Sequence, residues 1–476
     1  MRLFLHKIFG NQVYQYLAAI TGTMGIISSE MHYGWSSPAL PVLISGDDKL
    51  RITSEEGSWL VVALLVGTIT GAILTGHLAD VLGRKLIILC SLVPIVVGWA
   101  FIYFATSVAY LFVARTIAGV SVGMSLSVVP MYLGEIAEPK LRGLLASLCP
   151  VSLVLGILFI NILGGYMSIS NSALAATVIP VIMAFTFVWM PESPTYLLIK
   201  GKTEEARLSM EKLQGRDVSQ EELLKISDRV KLEFEDKKKG SKVLFSDRVN
   251  RKSLIIVLGL RTVQQLCGTS IITFYCKTIF EETKEFISPN ISSIVYFTIQ
   301  MIVALISSLI VDFTGRRILL FISIAGSGIT LLTTGVCLHL KNVYNFDNIS
   351  YIPIVSLFFY VIVFNIGVRC IPLLMVGEMF SPSVKSAAVS LTAIYFSVFS
   401  IIVAKFFHYT KEFLGLHVSF YTFSLFSFLS LIFVYHFVPE TKGKSLEQIQ
   451  DELREKDSAN DKLEKPSSIK FVSDVS

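Results

Sequence analysis

The chain has 476 residues, of which 53% are hydrophobic and only 16% charged, with a formal net charge of +5. This balance excludes an ordinary soluble domain and calls for a membrane as solvent. The modest positive charge suits anionic headgroups, and nothing in it points to nucleic acid. The six cysteines show no paired spacing and mostly sit inside apolar stretches, which reads as buried thiols rather than a metal site or disulfide framework.

Residues 1–13 read as a cytoplasmic N-terminus. The first apolar run, near 14–34, is too long for a signal peptide and lacks a small-residue cleavage site, so it reads as a helix of the mature protein. Runs near 57–78, 86–105, 109–133, 143–167 and 172–190 follow, each long enough to cross the hydrocarbon, and complete a first bundle over 14–190. The segment 191–252 mixes acids and bases around an amphipathic series (Ala206, Leu208, Met210, Leu213, then Leu223, Leu224, Ile226), which predicts short helices on the cytoplasmic face. Runs near 253–276, 291–311, 318–340, 352–377, 386–408 and 416–438 form a second bundle over 253–438. The tail, 439–476, is cytoplasmic, and its polar residues after about 455 predict disorder. Backbone groups in lipid must bond within their own segment, and strand-like alternation is absent. The expected fold is therefore all-α, with twelve transmembrane helices in two six-helix repeats.

Three charged phrases recur in the same order in both halves. Gly76-His-Leu-Ala-Asp80-Val-Leu-Gly83-Arg84-Lys85 is answered by Asp312-Phe-Thr-Gly315-Arg316-Arg317. Glu135, before Ala-Glu-Pro-Lys-Leu-Arg142, is answered by Glu378, before Ser-Pro-Ser-Val-Lys385. Glu192 in Pro-Glu-Ser-Pro is answered by Glu440 in Pro-Glu-Thr-Lys-Gly-Lys. An ordered triplet of this kind signals a doubled half, a plan shared by many transporters. The basic loops collect on one side, which places both termini in the cytoplasm. The sequons at Asn290 and Asn348 then fall outside, as candidate glycosylation sites.

A carrier must exchange two global states of similar free energy, so bonds that break cheaply suit its gate, and exposed ion pairs are such bonds. Asp80, Arg84, Arg115, Glu135, Arg142, Glu192, Asp312, Arg316, Glu378, Lys385 and Glu440 are the candidate gate residues. Glu135 is expected to meet Arg142 or Arg115, and Glu192 and Glu440 to reach arginines of neighbouring turns. Gly83 is expected to turn left-handed.

The phrase Gly-x-x-x-Asp80-x-x-Gly-Arg84-Lys85 resembles the signature of the major facilitator superfamily. Arg115-x-x-x-Gly119-x-x-x-Gly123, Pro130-x-Tyr132-x-x-Glu135, Pro191-Glu-Ser-Pro194, Gln264-Gln265-Leu-x-Gly268 and Pro439-Glu-Thr-Lys-Gly-Lys-Ser-Leu look like its sugar-porter branch. Gly34-Trp-Ser-Ser-Pro-Ala-Leu40 is most similar to insect facilitated trehalose transporters and their relatives. The resemblance implies alternating access of two bundles around a central sugar site, with the charged phrases as a cytoplasmic lock.

A sugar site needs amides and aromatic faces among apolar walls. By resemblance, Gln264, Gln265, Ser270, Gln300 and Asn365 are the candidate substrate residues. Pro150, Ser270, Leu373 and Phe396-Ser397 stand where sugar porters carry a glutamine, an asparagine, a tryptophan and an Asn-Trp pair. Intramembrane charge is costly and marks function. Glu30, His32, Arg261 and Arg369 are therefore candidates for specificity or coupling, with a Glu30–Arg369 pairing across the cavity and His32 either in a coupling position or facing the outer vestibule. The function expected is facilitative transport of a sugar or sugar-like polyol across the plasma membrane by a monomer without cofactor. The alternatives are an anionic or proton-coupled substrate, or a non-transporting sensor. No metal spacing, nucleophile elbow or phosphate loop supports an enzyme.

Overall fold

The structure, a computed structural model, describes residues 12–452 apart from 48–49, 222, 229, 231–242 and 345–350. The first run forms α1 (Val13–Gly34) and continues past a turn at Trp35 as α2 (Ser36–Ser45). Pro38 explains the break, because it has no N–H to return to the carbonyl of Gly34. The segment thus reaches eleven residues beyond the expected end at 34. Next come α3 (Ser54–Leu82), α4 (Arg84–Cys90), α5 (Leu92–Tyr103), α6 (Val108–Ile136), α7 (Arg142–Tyr166), α8 (Ile169–Ala176) and α9 (Val178–Phe187). A reciprocal box between Thr53 and Glu56 starts α3 and satisfies two orphan N–H groups.

The segment after α9 folds into short helices, including α10 (Pro194–Ile199) and α11 (Thr203–Gln214). Ala206, Met210 and Leu213 are buried as the amphipathic pattern predicts, whereas Leu208 is exposed. The second set comprises α12 (Arg248–Leu266), α13 (Thr269–Glu281), α14 (Pro289–Thr314), α15 (Arg316–Tyr344), α16 (Ile352–Ile366), α17 (Ile371–Met379), α18 (Pro382–Phe413) and α19 (Leu416–Phe437).

Among the described residues, eleven helical segments are long and apolar enough to cross a membrane. The α1 helix is not one of them. Its polar residues turn inward: Ser28, Ser29, Glu30 and His32 are all buried. Packing is closest where α3 crosses α6. A Cβ added at Gly67, Gly71, Gly119 or Gly123 would overlap backbone of the facing helix, so these glycines allow the two backbones to touch.

Four of the hydrogen bonds between the first helix set and the second gather at one end of the bundle. Ser54 donates to Glu412 (3.2 Å), Lys405 to Ser58 (2.8 Å), the Lys277 N–H to Ser37 Oγ (3.3 Å), and Asn290 to the Gly165 carbonyl (2.9 Å). All four lie at the end of the bundle opposite the repeated phrases. Lys405 also stands over the Trp59 ring, 3.7 Å from its centroid.

Candidate functional site

The repeated phrases build two matching clusters. At the first, α3 ends at Gly83, whose φ of 98° and ψ of 161° suit glycine alone, so that α4 starts at once with Arg84. The Arg84 guanidinium meets Asp80 (3.1 Å) and Glu135 (3.0 Å) and donates to the Ala79 carbonyl (2.8 Å). Glu192 accepts from the backbone N–H groups of Arg84 (3.1 Å) and Lys85 (3.0 Å), and Ser193 donates to Glu135.

At the second, Gly315 has φ 99°, and Arg316 meets Glu378 (2.8 Å) and the Val311 carbonyl (3.1 Å). Glu440 accepts from the N–H groups of Arg316 (3.0 Å) and Arg317 (3.0 Å), and Thr441 donates to Glu378. Every contact in the first cluster from Ala79, Glu135, Glu192 and Ser193 has a counterpart in the second.

The geometry revises several expected pairings. Glu135 binds Arg84 and Ser193 rather than Arg142 or Arg115. Arg142 opens α7 and is exposed. Arg115 lies near the far end of α6, about 30 Å along the helix from Glu135. There it is fully buried, donating to the His32 carbonyl (2.5 Å) and Ser36 Oγ (2.8 Å), with its guanidinium 5.2 Å from the Trp35 ring. It therefore ties α6 to the α1–α2 turn and takes no part in the cluster.

Glu192 and Glu440 reach backbone N–H groups at helix starts rather than guanidiniums, where the helix dipole favours a carboxylate. Burial alone would push the Glu440 carboxyl up, but N–H donors from Lys442, Arg317, Arg316 and Thr441 together hold it below the ordinary value. Lys385 is exposed and donates weakly to the Gly377 carbonyl (3.4 Å). The Asp312 side chain and Asn348 lie outside the described residues.

The centre is built on two broken helices. The seventh run divides at Cys267–Gly268, with Gly268 at φ 87°, and the tenth divides between Ile366 and Ile371. Each break falls inside a single apolar run of the sequence, 253–276 and 352–377. Irregular backbone at membrane depth survives only where protein satisfies it or where it lines a cavity. Tyr360 donates to the Cys267 carbonyl (2.7 Å). Ser323 donates to the Val363 carbonyl (2.7 Å) and accepts from the Val368 N–H (3.0 Å).

Gln264 links the two breaks, accepting from Arg261 (2.9 Å) and donating to the Arg369 carbonyl (3.0 Å). Gln265 donates to Ser400, which also bonds Ser270 (2.9 Å). Gln265 Oε1, Gln300 Oε1, Asn365 Oδ1 and the Tyr275 hydroxyl are buried without a partner. Buried groups left in this condition are costly unless a ligand meets them. The Tyr33 and Phe274 rings lie tilted with centroids 4.6 Å apart and supply an aromatic face.

Other expectations change here. His32 is buried against Trp99, with ring centroids 3.7 Å apart, and bonds the Ile95 carbonyl (3.0 Å), so it faces neither the outer vestibule nor the centre. Glu30 is buried and lies within electrostatic reach of Arg369, but no ion pair joins them and Glu30 Oε1 is unpartnered. Asn290, the first sequon, donates its amide nitrogen to the Gly165 carbonyl of the first helix set (2.9 Å). Ser397 bonds its own helix at Ala393 (3.2 Å), while Phe396 lies under the Arg261 guanidinium at 5.3 Å. Ser400, Tyr360 and Ser323 are the residues that motif reading missed. Ser400 stands one helical turn after Phe396, so its face could have been found from period alone.

The sequence profile described as "Sugar (and other) transporter" matches residues 14–453. The chain is 33% identical to the facilitated trehalose transporter Tret1 of Polypedilum vanderplanki over 95% of its own length and 91% of that protein. It is 33% identical to the Bombyx mori Tret1 over 92% and 86%. Among solved structures, the inward-open xylose transporter XylE from E. coli superposes with a TM-score of 0.74 at 18% identity, covering 92% of this chain and 98% of that one. XylE bound to 6-bromo-6-deoxy-D-glucose gives 0.72 at 19%, covering 93% and 100%. At these identities the structural likeness speaks for the fold alone. Profile and relatives agree, and the chain belongs to the sugar transporter family, with the fold of the XylE transporters on which it superposes.

Proposed function

We propose that this carrier moves a sugar or sugar-like polyol down its gradient by alternating access, with Gln264, Gln265, Ser270, Gln300 and Asn365 taking the hydroxyls. The observation that carries the reading is the set of buried, unpartnered amide oxygens beside two broken helices. The similar Tret1 proteins are facilitated trehalose transporters, which makes a disaccharide a natural first cargo to try.

In this reading α1–α2 is the twelfth span, since its polar residues face protein rather than lipid. In the same reading the termini and the charge clusters lie in the cytoplasm, the side that the basic loops favour, and the carrier works as a monomer in the plasma membrane. The four bonds at the opposite end then close the outer side, which describes an inward-facing carrier. Asp80, Arg84, Glu135 and Glu192, with Arg316, Glu378 and Glu440, hold the helix ends that move as rigid groups.

The test is radiolabelled uptake of glucose, trehalose, polyols and sugar acids by the protein in proteoliposomes. Gln265→Ala should lower uptake by about tenfold or more, the cost of a lost buried hydrogen bond and an orphaned partner. Absence of uptake for every sugar, with binding retained, would turn the reading toward a sensor.

A further inference from the structure

Two arginines adjoin Gln264, and neither forms an ion pair among the described residues. Arg261 donates to Gln264 (2.9 Å), lies 5.3 Å from the Phe396 ring, and keeps a buried Nε with no partner. Arg369 sits in the break of the tenth run, where its own carbonyl accepts from Gln264. Its guanidinium is within electrostatic reach of Glu30 on α1, Tyr33 on α1, Tyr296 on α14 and Tyr360 on α16. These elements converge on the centre of the bundle.

Among the described residues, neither arginine forms an ion pair. The carboxyl facing Arg369 is Glu30, which belongs to the other helix set. One carboxylate against two guanidiniums leaves a surplus positive charge. A guanidinium does not give up its proton, and an unpaired one at membrane depth is strongly disfavoured. Hydroxyls of a neutral sugar accept from a guanidinium but leave its charge uncompensated, whereas a carboxylate neutralises it and fits the guanidinium fork with two parallel bonds.

We propose that the cargo is a sugar acid, its carboxylate received by Arg261 and Arg369 while the glutamines and Ser400 hold its hydroxyls. This rests on the sugar-transport reading and narrows its substrate class. The separation of roles is geometric. Arg261 and Gln264 lie one turn apart on α12, so a ligand bound to one presents its ring to the other.

The test is counterflow in proteoliposomes of the full chain with labelled glucuronate, glucose or acetate, for the wild type, Arg261→Gln, Arg369→Gln and Arg369→Lys. Wild-type protein should exchange glucuronate at least tenfold faster than glucose and leave acetate behind, since the site needs both ring and charge. Arg369→Gln and Arg261→Gln should each lower the glucuronate-to-glucose ratio about ten- to a hundredfold, the range of a hydrogen bond to a charged group. Arg369→Lys should keep most of it, which separates loss of charge from loss of folding.

Equal exchange of glucose and glucuronate by the wild type, or a ratio unchanged in both glutamine variants, overturns the proposal while leaving sugar transport intact. If no sugar is exchanged, thermal stabilisation of the detergent-solubilised wild type decides. A shift with glucuronate but not glucose supports the acid site and overturns transport. A shift with neither overturns both.

Discussion

Arg84 holds two carboxylates and a helix-end carbonyl at once, so the effect of removing it depends on what stays behind. Arg84 is 2% exposed, and Arg84→Ala would strand Glu135 with only Ser193 as donor. Breaking a buried pair from one side costs about 3 kcal/mol. The Arg316–Glu378 pair is more open to solvent, with side chains 13% and 26% exposed, so Arg316→Ala should cost about 1–2 kcal/mol. Thermal melting in detergent should therefore rank Arg84→Ala below Arg316→Ala; equal midpoints would show that burial does not set the difference.

Glu440 has a pH signature of its own. Its carboxyl is held below the ordinary value in the folded protein, so the stabilisation is present above the ordinary glutamate pKa of about 4.3 and is lost as pH falls through the depressed value. Glu440→Gln should flatten the acid limb of a melting-point profile below that pH. A wild-type limb that survives in the variant would place the titration elsewhere.

Helices here are joined by two kinds of contact, and they fail differently. The α3–α6 crossing has no room for side chains at Gly67, Gly71, Gly119 and Gly123. Gly119→Val should abolish monodisperse protein rather than weaken it, because backbone rather than a movable side chain stands in the way; a well-behaved, active variant would show that the crossing can open. The α3–α18 contact at the outer end is softer. Lys405 binds Ser58 and the Trp59 ring and can detach without disturbing either helix. Lys405→Ala should remove about 1 kcal/mol from the closed outer end. Spin labels at Glu55→Cys and Phe413→Cys should then report a larger share of long distances. No change in the distance distribution would assign closure to the other three bonds.

For the whole molecule, alternating access requires the outer bonds to separate in every cycle. A short thiol-reactive linker joining Ser54→Cys to Glu412→Cys, which touch at 3.2 Å in the unmodified protein, should stop counterflow while sparing binding. Continued exchange after complete cross-linking would exclude rocking of one helix set against the other.

Much of this is legible in the sequence. The doubled phrases announced doubled clusters because a tight glycine turn, an arginine and a carboxylate at fixed spacing leave few ways to pair. Runs of about twenty apolar residues announced spans because lipid offers backbone groups no other partner. The pairing of particular side chains was not legible. Arg115 and Arg142 are both within sequence reach of Glu135, and only the three-dimensional path of α6 and the turn at Gly83 select Arg84. His32 reads as a cavity residue until Trp99 is seen stacked on it.

Sequence by itself determined the membrane class, the repeat and the family, since these follow from local composition and ordered motifs. Tertiary structure alone decided the breaks at Gly268 and Gly367–Cys370, the bridge of Gln264 between them, and the two arginines that form no ion pair among the described residues. Those features depend on which helices lie against each other at the bundle centre, and contacts between residues more than a hundred positions apart leave no periodic trace in one chain.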